Sequence, residues 1–346
     1  MTTEASPALS LLERSLDRLG ERVCLVGHDG AMPHWPECRV HALTTHYGVY
    51  RQSGGSDAVR LFGYDDPETP EAFDTIVILM PKARSELEMR MAWAAARLAA
   101  GGELWLVGAK REGIARGSRQ FRERFPGAFR IDSARHCQLW CATLETPAAP
   151  FRVWDWLEPV TVVAPGADLE LYSLPGLFSE GRLDEGTRQL LATVTEKPAE
   201  PVLDLACGNG VIAAWLRHQW PELAVTLADV HWQALNCARA FFEGAQGVTI
   251  VASDGLAGVT GRYASVFSNP PFHQGQKKNL DPINQWFRAL PDFLQPGAEL
   301  RLVANAFLPY QEPMIRSIGP VRSLSDDGRY RVYSARRNIH GKNVGN

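Results

Sequence analysis

The sequence predicts an α/β protein of two tandem domains, each a doubly wound parallel sheet covered by helices. Three observations carry this. Through the second half, short apolar runs alternate with amphipathic ones: PVLDLA, GVIAAWLRHQW, LAVTLADV, WQALNCARAFFEGA, VTIVAS, ASVFSN, NQWFRALPDFL, ELRLVAN. Strand-length runs separated by helical periodicity are the mark of βαβ units. The first half repeats the layout more weakly. Phe73 to Gly113 and Tyr263 to Phe307 each read strand, proline stop, loop, helix, glycine turn, strand, with GGELWLV echoed by GAELRLV. ERVCLVGHDG likewise echoes PVLDLACGNG. Finally, 346 residues suffice for two domains of ordinary size.

In chain order, MTTEASPALSLLERSLDRLGERV is acidic and amphipathic and lacks a secretory apolar core. No apolar run approaches the roughly 20 residues of a membrane helix, so a cytoplasmic protein without a membrane partner is expected. The segment PAAPFRVWDWLEPVTVV, Pro147 to Val163, breaks the alternation and holds the expected boundary. Residues 1–155 form a copy poor in motifs, and residues 156–346 the copy that carries them. Met80-Pro81-Lys82 is matched to Asn269-Pro270-Pro271. TVVAPGADLELYSL reads as a hairpin around Pro165-Gly166, GTRQLLATV as a helix, and GRYRVYSARR as an edge strand. The six cysteines show no zinc-site pairing and the histidines no metal spacing, so reduced core thiols and no metal are expected.

The chemistry collects where the strands of the second copy end. In LDLACGNG a strand runs into Gly208 and Gly210 and then a helix. Doubly wound sheets bind ligands beyond the carboxyl ends of their strands, the first βα turn being the usual place. Asp204 precedes that turn and can accept from a cationic amino group. Asp229 ends the second strand 25 positions on (229 − 204), where an acid takes ribose hydroxyls. Asp254 ends the next strand, where it could meet an adenine amine. The alternative is an ordinary tight turn with each Asp a helix cap. Val211, Ile212 and Ala213 follow Gly210, so the G-x-G-x-x-G of a pyrophosphate-binding turn is missing. A ligand with ribose, adenine and a cationic amino-acid end fits better, and S-adenosylmethionine is such a ligand.

The fourth strand of this half stops at SNPPFHQG. Two prolines cannot continue a central strand. Asn269 can offer its amide oxygen outward, and Pro270 its carbonyl. Together they make two fixed acceptors for a planar amine. Phe272 offers a face for a base to stack on, worth about 1–3 kcal/mol. Fixed acceptors favour a pyramidal nitrogen with its lone pair aimed at a methyl carbon. The alternative is a proline-stiffened loop.

Together LDLACGNG, LADV, VASD and SNPPF resemble the class I S-adenosylmethionine-dependent methyltransferases that act on amines. GLFSEGRLDEGTRQLL, NPPFHQG and VANAFLPY narrow the resemblance, from about Leu174 to Arg336, to the small-subunit ribosomal RNA guanine-N2 methyltransferases. That family implies two tandem Rossmann-like methyltransferase domains, the first degenerate, and methylation of a guanine amine in 16S ribosomal RNA. It implies Asp204, Gly208 and Gly210 in the cofactor turn, and Asp229 and Asp254 on ribose and adenine. Asn269, Pro270, Pro271 and Phe272 match its catalytic motif. Ala206 departs from it, replacing the usual first glycine of the cofactor loop. An extra methyl there is expected to loosen cofactor binding. FSEGRLDEGT closes over the cofactor through Asp184 and Thr187, or else caps the following helix.

The formal charge of −3 excludes a global basic field, so an RNA partner needs a local patch. Lys277 and Lys278 follow the catalytic motif. The densest basic run, KREGIARGSRQFRERF, offers Arg111, Arg116 and Arg119 for RNA docking and carries Phe121. A monomer is expected. Rival readings are methylation of a large-subunit guanine, of adenine N6 or of glutamine amides, and a non-catalytic ribosome-assembly factor.

Overall fold

The computed structural model describes residues 6–28, 30, 35, 37–52, 58–146, 148–177, 182–270 and 281–338. The chain divides into two compact units, Met1–Trp156 and Leu157–Asn346.

The first unit contains strands β1 (Arg22–Val26), β2 (Arg39–Thr44), β3 (Val59–Phe62), β4 (Phe73–Leu79), β5 (Leu98–Ala109), β6 (Phe129–Ala134) and β7 (Cys137–Leu144). They form one sheet in the order β3-β2-β1-β4-β5-β7-β6. The second unit opens with a hairpin of β8 (Glu158–Ala164) and β9 (Ala167–Ser173) around Pro165-Gly166. It continues with β10 (Val202–Leu205), β11 (Val225–Asp229), β12 (Val248–Ala252), β13 (Tyr263–Ser268), β14 (Leu294–Asn305), β15 (Val321–Asp326) and β16 (Tyr330–Arg336). Their order, β12-β11-β10-β13-β14-β16-β15, is the same permutation.

Each sheet departs from the expected all-parallel form at one edge. β7 runs antiparallel to β5 and β6, and β16 antiparallel to β14 and β15. Turn length is the cause: parallel neighbours need a long crossover, whereas short turns give antiparallel pairs. Arg135 and His136 join β6 to β7 with φ of 47° and 63°, a hairpin-turn conformation. GRYRVYSARR therefore supplies an interior strand, β16, and β15 takes the edge.

The two sheets also match in register. Val23 pairs with Thr75 as Val202 pairs with Ser265. Both also shift register at the same place, between Phe73 and Thr75 and between Tyr263 and Ser265. Positions can thus be equated one by one. Leu25 stands where the second copy has Asp204, Thr44 where it has Asp229, and Leu79 where it has Asn269. The match of Met80 to Asn269 is off by one residue, because the proline stop falls one position later in the first copy.

β10 is buried at every position, as a central strand covered on both faces must be. One side packs Ile212, Trp215, Leu216 and Phe242 against the hairpin residues Leu169 and Leu171. The other packs Val266, Leu300 and Leu302 against Phe287 and Met314. The Trp215 indole donates to the Pro165 carbonyl at 2.8 Å, tying the hairpin down. All six cysteines are free thiols, and all but Cys38 are buried. The helix Asp281–Ala289 tightens to a 3-10 turn, Leu290–Phe293, where Pro291 removes a backbone donor.

Candidate active site

The site is assembled at the carboxyl ends of β10, β11, β12 and β13. β10 and β13 are neighbours there, with Leu205 paired to Ser268, although 63 residues separate them in the chain. The Ser268 hydroxyl donates to the Leu205 carbonyl at 2.7 Å and locks the two ends together.

Past β10 the backbone turns sharply. Ala206, Gly208 and Gly210 have φ of 59°, 56° and 85°. Glycine adopts such values freely, whereas alanine there costs about 1–2 kcal/mol. Asp204 is fully buried. Its Oδ2 accepts from Ala213 N–H at 3.1 Å, within the first turn of the helix Val211–Gln219. Its Oδ1 has no partner among the described residues. Burial pushes this carboxyl up to about 7. A buried acceptor without a donor is costly unless a ligand supplies one, and an ammonium group would. The residues present therefore fit the amino-acid end of S-adenosylmethionine.

Asp229, whose position in the sequence suggests ribose hydroxyls, accepts from backbone N–H groups on two turns. Its Oδ2 accepts from Gly208 N–H at 2.8 Å and its Oδ1 from His231 N–H at 2.9 Å. It braces the cofactor turn as well as standing at the end of β11. Burial raises its pKa, and the two backbone donors oppose the rise. Asp254 follows β12 and is exposed. Next to it, Gly255 has φ of 56°, and a Cβ there would come within 2.4 Å of Trp286 Nε1. Trp286 thus lies against the turn that follows β12. The sequence hid this, because Trp286 read only as one apolar position of a helix.

Asn269 is the next residue after β13, and its side chain is held from one side. Its Nδ2 donates to Asp184 Oδ2 at 2.9 Å and to Thr187 Oγ1 at 2.8 Å. Its Oδ1 is buried and has no partner among the described residues. Asp184 also caps the helix Glu185–Ala192, its Oδ2 accepting from Thr187 N–H at 3.1 Å. The cap expected for this helix is present. The pairing of both residues with Asn269 left no trace in the sequence, since it spans more than 80 residues of chain with no local signal. Pro270 is buried. Pro271, Phe272, Lys277 and Lys278 lie outside the described residues.

Farther along the same end, β14 finishes at Asn305 and Phe307 is 70% exposed. Ala306 N–H donates to the carbonyl of exposed Arg329 at 2.9 Å, which sets an arginine backbone beside the aromatic turn. In the first unit, Arg116 and Arg119 are exposed on the helix Ile114–Arg124, and Arg111 is exposed just before it. Phe121 is not available to RNA: it is fully buried and packs on Phe125 with ring centroids 5.2 Å apart. The helix needs that ring as its core anchor. No cluster able to hold a metal ion occurs among the described residues.

A sheet of this order, with a glycine turn braced by acids and an Asn-Pro stop on the adjoining strand, belongs to the methyltransferases. The family description "Methyltransferase small domain" matches residues 168–334, and "Methyltransferase small domain N-terminal" matches residues 10–160. A ribosomal RNA small subunit methyltransferase C of Hahella chejuensis is 40% identical over 77% of this chain and 78% of its own length. The protein of that name from Stutzerimonas stutzeri is 35% identical over 96% of this chain and 99% of its own. A solved T. thermophilus 16S rRNA guanine-N2 methyltransferase, in complex with AdoMet and guanosine, shares the fold at a TM-score of 0.83. It is 23% identical, and the match covers 97% of this chain and 93% of that one. The chain belongs to the ribosomal RNA small subunit methyltransferase C family.

Proposed function

We propose that this chain transfers a methyl group from S-adenosylmethionine to the exocyclic amine of a guanine in small-subunit ribosomal RNA. The observation that carries the reading is the fixed Asn269 amide, with its free buried oxygen, next to the strand end that holds Asp204. Two unsatisfied acceptors, one suited to an ammonium and one to an aryl amine, meet at the ends of adjacent strands. The curated relatives carry the name of a small-subunit ribosomal RNA enzyme, which favours that RNA over a large-subunit one.

S-adenosylmethionine supplies an electrophilic methyl on a sulfonium centre when bound. Asp204 Oδ1 and the turn at Ala206, Gly208 and Gly210 hold its amino-acid end. Asp229 takes its ribose hydroxyls, and Asp254 faces its adenine. Asn269 Oδ1 and the Pro270 carbonyl accept hydrogen bonds from the two N–H groups of the guanine amine. A guanine amine is a weak nucleophile because its lone pair is shared with the ring. Paired acceptors stabilise the nitrogen as it becomes pyramidal and positive, so they act chiefly in the transition state. No prior deprotonation is needed: the nitrogen would become cationic and acidic only as it gains the methyl, and its surplus proton would pass to solvent water. Phe272 stacks on the base, and Lys277 and Lys278 meet phosphates.

The first unit binds no cofactor in this reading. Leu25 and Thr44 replace the two acids. Arg90 fills the turn: its Nη1 donates to the Leu79 carbonyl at 2.7 Å, and a Cβ on Gly27 would fall 1.8 Å from that nitrogen. The unit serves instead as an RNA dock through Arg111, Arg116 and Arg119, or supports the folding of its partner. Phe307 offers a second base-stacking face. No described helix is long and apolar enough to cross a membrane, and the enzyme acts as a cytoplasmic monomer. Methylation of 16S RNA by wild type and by Asn269→Ala, with the modified base mapped, tests the reading. A wild-type protein that leaves every guanine amine unmodified would reject it.

A further inference from the structure

An asparagine amide has one face that accepts and one that donates. Only one orientation serves the proposed reaction: oxygen toward the substrate amine, nitrogen away. The flipped amide would set N–H against N–H. Something must choose between them. We propose that Asp184 and Thr187 are positioning residues that lock the Asn269 amide with its acceptor toward the crevice. The proposal rests on the methyl-transfer reading of the site.

Three observations carry it. Both protons of Asn269 Nδ2 are engaged, by Asp184 Oδ2 at 2.9 Å and Thr187 Oγ1 at 2.8 Å. An ionised carboxylate only accepts, so a flipped amide would press oxygen against oxygen at Asp184. The chemistry of the partner thus fixes which atom is which, and Thr187 fixes the plane. Second, Asn269 Oδ1 is left buried with no partner among the described residues, as a poised acceptor should be. Third, Gly186 sits between the two positioning residues. A Cβ there would lie 2.9 Å from Asp184 Oδ2, the oxygen that holds Asn269, and 3.1 Å from Tyr330 Cδ1. A glycine in a helix is unfavourable relative to alanine. Here it leaves the carboxylate room to reach across to β13.

Helix capping alone could explain Asp184, so the variants must separate the two roles. Asp184→Ser keeps a capping oxygen for Thr187 N–H but is too short to reach Asn269. Thr187→Val keeps shape and backbone but removes the acceptor. The full chain would be assayed with S-adenosylmethionine and 16S RNA, both free and in the subunit. Cofactor affinity would be measured by calorimetry. Thr187→Val should lower kcat about tenfold, and Asp184→Ser by about ten- to a hundredfold, as expected for neutral and charge-assisted hydrogen bonds. Cofactor affinity should hold, and the melting temperature should fall by no more than the loss of one hydrogen bond to Asn269 explains. Thr187→Ser should restore most of the rate that Thr187→Val removes. In wild type the Asn269 side-chain amide protons should exchange slowly, and in both variants quickly. In an Asn269→Ala background neither substitution should slow the enzyme further, because the residues act as a unit. If Asn269→Ala is slow while Thr187→Val and Asp184→Ser match wild type, the lock is wrong and the methyl-transfer reading stands. If Asn269→Ala itself turns over like wild type, the reading of the site falls.

Discussion

Asp204 and Ala206, two residues apart, pull in different directions. The Asp204 carboxyl is pushed up to about 7 by burial, against an ordinary 3.8. In the cofactor-free protein the folded state therefore holds a proton that the unfolded state has released between those values. Its contribution to stability falls as pH rises from about 4 to 7, and is flat above. Cofactor binding runs the other way. The ammonium needs an ionised carboxylate, so below pH 7 a proton must leave, and the Kd for S-adenosylmethionine should rise by up to about tenfold per pH unit. Calorimetry across pH 5.5–8 would show this as proton release on binding; a flat Kd would take Asp204 out of the site. Ala206 holds a left-handed φ of 59°. Ala206→Gly should raise the stability of the second unit by about 1 kcal/mol, read as a shift of its unfolding transition, and tighten cofactor binding. Asp229→Ala should raise the cofactor Kd at least about tenfold. It should also lower stability, because it strips the Gly208 and His231 N–H groups of their acceptor.

At the scale of elements, the helix Glu185–Ala192 works as a bracket between β13 and β16 rather than as cover for the sheet alone. Gly186→Ala isolates that function. Alanine favours the helix by about 0.5–1 kcal/mol, yet its Cβ crowds Asp184 Oδ2 and Tyr330. We expect lower kcat with unchanged cofactor affinity; equal kcat would show that the carboxylate tolerates the shift. The sequence revealed β10 to β14 clearly, because each is a short apolar run bounded by Gly, Asp or Pro and followed by helical periodicity. It also placed Asp204, Asp229 and Asn269 at strand ends, since a strand end is a local feature. It could not reveal the pairing of Asn269 with Asp184, the plug of Arg90 over Gly27, or the burial of Phe121. Those depend on packing between distant segments. The edge assignment of GRYRVYSARR failed for a related reason: its alternation of arginine with apolar residues is shared by an interior strand whose arginines lie at the rim. The buried pattern at Val332, Tyr333 and Ala335 marks it as interior.

At the scale of the whole molecule, one sheet order occurs twice. The copies keep strand order, register and the β4–β5 and β13–β14 irregularity, while Asp204, Asp229 and Asn269 of the second copy are matched in the first by Leu25, Thr44 and Leu79. One S-adenosylmethionine should bind per chain, as counted by calorimetry; two would mean that Arg90 leaves its turn. If the first unit docks RNA, replacing Arg111, Arg116 and Arg119 by alanine should weaken RNA binding. The salt dependence should flatten too, by about 1 in slope for each phosphate no longer neutralised, with cofactor affinity intact. An unchanged slope would leave the unit only a folding role. The most direct test of the central claim is turnover on 16S ribosomal RNA at saturating cofactor, wild type against Asn269→Ala, with the methylated atom identified by mass spectrometry. The account predicts methyl on a guanine exocyclic nitrogen and a loss of roughly a hundred- to a thousandfold in kcat, typical for removal of one preorganised polar group. Equal rates, or methyl on any other atom, would contradict it.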